Sequence, residues 1–141
     1  MIPILVCCHG GSAPKLVETA EMIAGKQDEC ESVEFLMGES LDKLKGDIKT
    51  KLSKLNNPND VLCLVDLKGG TPFNVLVQMT EDYPGLDIVT GVNIPMLLQT
   101  FIQRPSSVSK EELMNSIIDA AHKGIYEFEK EPSVNDSDEE F

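Results

Sequence analysis

The sequence predicts an α/β protein in which a doubly wound, mostly parallel central sheet of four strands carries helices on both faces. Four short apolar segments recur along the chain, with amphipathic stretches of helical spacing between them. This alternation is typical of a parallel sheet with crossover helices. The chain has 141 residues, a length that suits one compact domain.

The first strand and the first helix follow from the apolar pattern. Ile2–Cys8 is a nearly continuous apolar run, as a strand buried on both faces requires. Ser12 is a suitable N-cap for the helix that follows, and Gly25 ends this helix. The apolar residues of the helix recur at helical spacing; they are Ala13, Leu16, Val17, Ala20, Ile23 and Ala24.

The next three elements repeat this order. Val33–Met37 is a short, partly polar strand, and its polarity favours a position at the edge of the sheet. The second helix extends from Leu41 to Leu55, where leucine and isoleucine recur at helical spacing. Val61–Val65 is the third strand, a second fully apolar run.

A glycine turn separates the third strand from the third helix. Asp66 stands at the carboxyl end of the strand, and Gly69 and Gly70 allow a tight turn. Thr71 suits the N-cap of the third helix, and Pro72 suits its first helical position.

Another strand and two more helices complete the predicted domain. Leu86–Thr90 forms the fourth strand, and Met96–Gln103 forms the fourth helix. Ser109 and Glu112 form a capping-box pattern for a last helix, which Gly124 ends.

The carboxyl-terminal residues divide into two parts. Ile125–Phe128 either continues the last helix or forms a fifth edge strand exchanged in a homodimer, because its bulky apolar residues need a covering surface. From Pro132 onward the chain is acidic and has no basic residue. We therefore predict one domain over residues 1–131 and a disordered, solvated tail over residues 132–141.

Charge and composition exclude several classes of function. Twelve basic residues against 24 acidic ones give a net charge of −12, so no basic surface is expected for nucleic acid. Basic protein surfaces are the expected partners. No apolar run approaches the ~20 residues of a membrane helix, which predicts a cytoplasmic protein without membrane insertion. The cysteines lack CxxC and zinc spacing and are expected to be reduced; they are Cys7, Cys8, Cys30 and Cys63.

Two polar residues follow the ends of predicted strands. His9 follows the first strand and Asp66 ends the third, at the edge where open parallel sheets bind ligands. If these strands are neighbours, Asp66 accepts a hydrogen bond from one nitrogen of His9 and leaves the other as a nucleophile. The amides of the Gly69–Thr71 turn and the Thr71 hydroxyl then face a dianion held by the ring. These parts predict a phosphoryl acceptor that needs no metal, nucleotide or other cofactor in this chain.

Each of these residues also has a structural interpretation. A histidine after a strand is often a satisfied structural residue, Asp66 is a candidate cap for the next turn, and a glycine turn often only starts a helix. His122 is most simply a surface residue that compensates the dipole of the last helix, and we assign it no chemistry. The sequence contains no P-loop, GxGxxG, GxSxG or HExxH motif.

Three motifs occur in a linked order. They are His9-Gly10, then Val65-Asp66 with Gly69-Gly70-Thr71-Pro72-Phe73-Asn74, and then Gly91-Val92-Asn93-Ile94-Pro95-Met96-Leu97. In order and spacing, over about residues 2–128, they resemble the enzyme IIA component of the mannose/sorbose type in the bacterial sugar phosphotransferase system (PTS). Three linked motifs are far more specific than any one of them.

This resemblance implies a doubly wound fold, a cytosolic homodimer and a transient phosphohistidine on His9. The phosphoryl group would come from the histidine phosphocarrier protein HPr and pass to the IIB component of a sugar permease. By position, Asp66 corresponds to the carboxylate that orients the histidine, and Gly70 and Thr71 correspond to the phosphoryl-binding turn. Lys68 stands where the family varies.

Two alternative functions stay open at this point. The phosphohistidine subunit of dihydroxyacetone kinase shares the architecture, but its second motif lacks the Gly-Gly-Thr-Pro-Phe-Asn form. A regulatory binding module whose phosphorylation state controls a partner belongs to a different class. Operon context or phosphoryl passage to a IIB protein distinguishes these alternatives.

Overall fold

The computed structural model describes residues 1–131, and it confirms the predicted fold class. All strand pairs in the sheet are parallel, and their order is β2-β1-β3-β4. In chain order the elements are β1 (Ile4–His9), α1 (Ser12–Ala24), β2 (Cys30–Phe35), α2 (Leu41–Leu52), β3 (Leu62–Val65), α3 (Thr71–Met79), β4 (Asp87–Thr90), α4 (Ile94–Gln103) and α5 (Lys110–Lys123).

The central strand β1 separates two apolar cores. Ile4, Val6 and Cys8 face the core formed with α1, α4 and α5. Leu5 and Cys7 face the core formed with α2 and α3. Because successive side chains of a strand point to opposite faces, a strand between two helical layers must be apolar at every position, as this one is.

Several predicted boundaries differ from the structure. The strand β2 begins at Cys30, three residues before the predicted start, and ends at Phe35 instead of Met37. It pairs with β1 along its whole length, and its polar residues are tolerated because it lies at the edge of the sheet. Ser12 and Thr71 were predicted to be N-caps, but each is the first residue of its helix, behind a glycine N-cap.

The last helix ends as predicted. Ser109 and Glu112 form the capping box of α5, and Gly124 follows its last residue. Residues 125–131 have no regular secondary structure, so Ile125–Phe128 does not continue the helix. The exchange of this segment between two chains stays a prediction. The predicted acidic tail, residues 132–141, lies outside the described residues. Over residues 1–131, every helix is too short or too polar to cross a lipid bilayer.

Candidate functional site

The structure brings His9 and Asp66 together at the carboxyl edge of the sheet. His9 is the last residue of β1 and Asp66 directly follows β3, and these strands are neighbours. The Nδ1 atom of His9 lies 3.0 Å from Oδ2 and 3.2 Å from Oδ1 of Asp66. The backbone N–H of His9 also donates to Oδ2 at 3.0 Å. One carboxylate therefore holds both the backbone and the ring of the histidine.

This contact determines which ring nitrogen is available. A carboxylate accepts hydrogen bonds, so a neutral His9 places its proton on Nδ1 and keeps a lone pair on Nε2. The His9 side chain is 43% exposed, and that of Asp66 is 30% exposed. The arrangement thus presents a nucleophilic nitrogen to the surface and places a negative charge where it stabilises an imidazolium.

The amino terminus of α3 lies against the same imidazole. A Cβ atom at Gly70 would stand 2.6 Å from Cε1 and 3.2 Å from Nε2 of His9, so only glycine fits between the turn and the ring. Gly69 has a φ of +82°, which glycine adopts without strain. A side chain of α3 stabilises the turn, because Asn74 Nδ2 donates to the Gly69 carbonyl at 3.1 Å.

The first turn of α3 is open to an anion. Its N-cap is Gly70, which makes no side-chain capping bond, and its first turn contains no acidic residue. Backbone N–H groups at the start of a helix have no partner within the helix, and the helix dipole favours negative charge there. The predicted site residues Gly70 and Thr71 therefore stand at the start of a helix that begins beside Nε2 of His9.

Phe35 also contacts His9 and was not among the predicted site residues. The rings of Phe35 and His9 have centroids 6.2 Å apart and planes inclined at 66°, an edge-to-face arrangement. The backbones are also joined: Gly10 N–H donates to the Phe35 carbonyl at 2.7 Å, and Phe35 N–H donates to the Gly10 carbonyl at 3.2 Å. The β1–β2 register pairs Phe35 with His9. If the end of β2 had been predicted at Phe35, this residue would have been expected at the same edge of the sheet as His9.

Asn93 and His122 lie outside the contacts around His9. Asn93 accepts from the Met96 N–H at 2.9 Å and donates to the Ala121 carbonyl at 3.2 Å, so it caps α4 and links it to α5. His122 lies in the last turn of α5, where a basic ring favours the helix dipole. We assign neither residue a chemical role.

The buried cysteines are unreactive. Burial raises the pKa of Cys8 and of Cys63 to about 12, so both stay protonated thiols at neutral pH. Burial also raises the pKa of Cys7 far above its ordinary value. Since the thiolate is the nucleophile and the metal ligand, His9 has no competitor among these residues. Within residues 1–131, no group of three His, Cys, Asp or Glu side chains is arranged to hold a metal ion.

Sequence relatives show the family. The family model described as "PTS system fructose IIA component" matches residues 3–118. The mannose-specific EIIAB component of Escherichia coli K12 is 34% identical over 131 residues, which is 93% of this chain and 41% of that relative. This chain thus spans about two-fifths of that relative's length. The fructose-specific EIIA component of Bacillus subtilis is 31% identical over 115 residues, covering 82% of this chain and 79% of that relative.

Solved structures agree with this assignment. The mannose/sorbose-specific IIA subunit from Enterococcus faecalis superposes with a TM-score of 0.82 at 26% identity, over 96% of this chain and 100% of that chain. EIIA from Streptococcus agalactiae gives a TM-score of 0.81 at 27% identity, over 90% of this chain and 97% of that chain. The chain therefore belongs to the mannose family of enzyme IIA components of the phosphotransferase system.

Proposed function

We propose that this chain is a phosphocarrier that accepts a phosphoryl group from phosphorylated HPr on Nε2 of His9 and passes it to a IIB component for coupled sugar uptake and phosphorylation. The observation that carries the proposal is the placement of His9 between Asp66 and the open start of α3. Membership of the enzyme IIA family also supports a role for the chain as a component of a sugar phosphotransferase system.

The transfer needs one bond to form and one to break. The lone pair of Nε2 attacks the phosphorus of phosphorylated HPr, a P–Nε2 bond forms, and the P–N bond to the histidine of HPr breaks. The His9 ring then carries positive charge, which the adjacent Asp66 carboxylate stabilises. Passage to the IIB component is the same displacement, with His9 as the leaving group.

The start of α3 supplies the anion-binding part. The phosphoryl group adds negative charge beside Nε2, next to Gly70 at the start of α3. Amides and the positive end of a helix dipole stabilise such charge without a metal ion. The Thr71 hydroxyl, at the first helical position, provides one further donor.

The charge of the chain bears on its partners. With a net charge of −12, it attracts basic protein surfaces and repels nucleic acid. HPr and a IIB component are therefore the proposed partners, and the cytoplasm is the proposed location. The relatives described above are all sugar phosphotransferase components, which does not favour the dihydroxyacetone kinase alternative.

A homodimer is the proposed assembly. Ile125, Tyr126 and Phe128 are 79%, 77% and 76% exposed, and β4 is an edge strand of the sheet. An extended segment of a second chain satisfies its backbone at such an edge and covers its apolar side chains. Truncation after Lys123 should yield a monomer by sedimentation while His9 still accepts phosphate. A truncated chain that remains dimeric would contradict this assembly.

Reconstituted transfer tests the function. The purified chain is mixed with phosphoenolpyruvate, enzyme I and HPr, and the acid-labile phosphate is mapped by peptide analysis. We expect phosphate on His9 in the wild type, none in His9→Ala, and wild-type labelling in the matched variant His122→Ala. Phosphate on His122, or full labelling of His9→Ala, would refute the assignment.

A further inference from the structure

The imidazole of His9 is contacted from both neighbouring strands. Because β1 lies between β2 and β3, Asp66 reaches the ring from the β3 side and Phe35 reaches it from the β2 side. Phe35 makes an edge-to-face contact with the ring at 6.2 Å, within the range of favourable aromatic pairs. The hydrogen bonds between Phe35 and Gly10 also fix the backbone immediately after His9.

The bond to Asp66 does not by itself fix the ring. A hydrogen bond at Nδ1 leaves a half-exposed imidazole free to tilt about that contact, and tilting moves Nε2 away from the start of α3. Gly70 restricts this motion on the side of Cε1. The Phe35 ring restricts it on the side of β2.

We propose that Phe35 is a positioning residue for phosphoryl transfer: it holds the His9 ring against Asp66 so that Nε2 faces the amino terminus of α3. This inference rests on the proposed function of His9. Phe35 touches neither the phosphoryl group nor its donor in this role and acts only through the histidine.

The expected effect is modest. The energy of one aromatic pair corresponds to about a two- to tenfold change in rate, if the contact holds the reacting group in its productive position. Phe35→Ala should therefore lower the rate constant of phosphorylation by about that factor. Phe35→Leu, which keeps part of the bulk, should fall between Phe35→Ala and the wild type.

Val33→Ala provides a matched control. Val33 is buried, stands two residues earlier in β2, and packs into the same core as Phe35. It is paired with Cys7 in the strand register, not with His9. A loss of rate that merely follows loss of packing in β2 would therefore appear in Val33→Ala as well.

The experiment uses two phosphoryl donors. Phosphorylated HPr must dock, whereas phosphoramidate is a small molecule from which the P–N bond breaks, ammonia leaves and a P–Nε2 bond forms. We expect Phe35→Ala to slow phosphorylation of His9 with both donors and Val33→Ala to slow it with neither. In ¹⁵N NMR spectra, Phe35→Ala should change the chemical shift of His9 Nε2, because the ring tilts while its bond to Asp66 keeps the proton on Nδ1, whereas Val33→Ala should leave this shift unchanged.

Two outcomes would overturn the role of Phe35. The first is a Phe35→Ala rate equal to wild type with phosphoramidate; a loss that is then seen only with phosphorylated HPr would assign Phe35 to docking. The second is a loss no larger than that of Val33→Ala. In both, the wild type still accepts phosphate on His9, so the proposed function stands. A wild type that accepts phosphate from neither donor would refute both proposals.

Discussion

At the amino edge of the sheet, Arg104 is 1% exposed, whereas His9 at the carboxyl edge has a 43% exposed side chain. The Arg104 guanidinium donates to the Ile2 carbonyl at 3.0 Å, the Glu29 carbonyl at 2.8 Å and Gln27 Oε1 at 2.9 Å, and also to the Asp28 carbonyl. Its hydrogen-bonding capacity is largely used to join α4 to the starts of β1 and β2. His9 keeps one ring nitrogen for a ligand.

The starts of α5 and α3, one at each edge, differ in the same way. The helix α5 begins at the amino edge with a complete capping box and two acidic residues in its first turn. The helix α3 begins at the carboxyl edge with a glycine N-cap and no acidic residue in its first turn. Capping satisfies backbone donors and stabilises a helix, so α3 forgoes stabilisation that α5 has.

The difference indicates that the two edges of the sheet have different roles. Polar groups around Arg104 and at the start of α5 are satisfied by the protein and stabilise the fold, whereas Nε2 of His9 and the start of α3 stay available for an anion. Substitutions at the amino edge should therefore reduce stability and leave transfer intact. Substitutions around His9 should do the reverse.

Among the variants that keep His9, Asp66→Asn should give the largest effect on transfer. An amide has the shape of the carboxylate, but it can donate to Nδ1, which favours the wrong tautomer, and it carries no charge. We expect phosphorylation of His9 to slow by a factor on the order of 10²–10⁴, with an unchanged urea midpoint. Rapid-quench labelling with phosphorylated HPr measures the rate, and a wild-type rate would make Asp66 a structural residue.

Arg104→Met should give the largest effect on stability. The change removes the donor of the Ile2 and Asp28 carbonyls and of Gln27 Oε1, at about 1–3 kcal/mol each. The Glu29 carbonyl keeps its bond from the Ile4 N–H. We therefore expect the free energy of unfolding to fall by about 3–5 kcal/mol. Urea denaturation measures this loss, and phosphorylation of His9 should be unchanged where the variant is folded.

Arg104→Lys tests whether charge alone suffices. Lysine lacks the planar fork that reaches several acceptors at once, so this variant should recover only part of the lost stability. Full recovery, or a transfer defect in folded Arg104→Met, would contradict the proposed separation of the two edges.

Much of the fold was predictable because its determinants are local. Each buried strand is an apolar run bounded by turn residues, and the capping box of α5 is a sequence pattern. The pairing of His9 with Asp66 was predictable because both follow strands that a doubly wound sheet places side by side. These features depend on sequence period and on one topological rule.

The features that the sequence analysis missed depend on register and tertiary contact. Cys30–Ser32 belongs to β2 although it is partly polar, since an edge strand needs no continuous apolar pattern. The resulting error in β2 concealed the contact between Phe35 and His9. Arg104, which follows the predicted fourth helix, was not among the predicted structural residues, because its acceptors lie 75 or more residues earlier in the chain, a distance that local patterns do not encode.

Thr71→Val should have a smaller effect than Asp66→Asn. The change removes one hydroxyl beside the proposed phosphoryl group and leaves the backbone amides of α3. A hydrogen bond to a charged group contributes about 1.5–3 kcal/mol, which corresponds to a loss of roughly tenfold or more in the amount of phosphorylated His9 at equilibrium. Quantification of phosphohistidine against phosphorylated HPr measures it. Thr50→Val on the exposed side of α2 is the control, and an equal loss in both would refute a contact between Thr71 and the phosphoryl group.

Lys110→Met should give the smallest effect, and it depends on pH in a defined direction. Lys110 Nζ lies 2.9 Å from Asp87, 3.0 Å from Asp60 and 2.6 Å from the Gly85 carbonyl, and its side chain is 14% exposed. Burial alone would lower its pKa, but the hydrogen bonds to Asp87 and Asp60 leave the pKa above its ordinary value. A pKa raised in the folded state stabilises the fold below the ordinary lysine pKa, and this stabilisation disappears as pH rises through the raised value.

The measurement is the difference in free energy of unfolding between wild type and Lys110→Met at several pH values. We expect a loss of about 1 kcal/mol at pH 8 that diminishes above the ordinary lysine pKa of ~10.4. Lys123→Met is the control, because Lys123 pairs with Asp119 at 3.0 Å on the surface with a 77% exposed side chain, and exposed pairs contribute little. If both variants lose the same stability, the Lys110 pairs contribute no more than an exposed pair. If Lys110→Met alters the phosphorylation of His9, the satisfied charges of the amino edge do not act separately from the open site around His9.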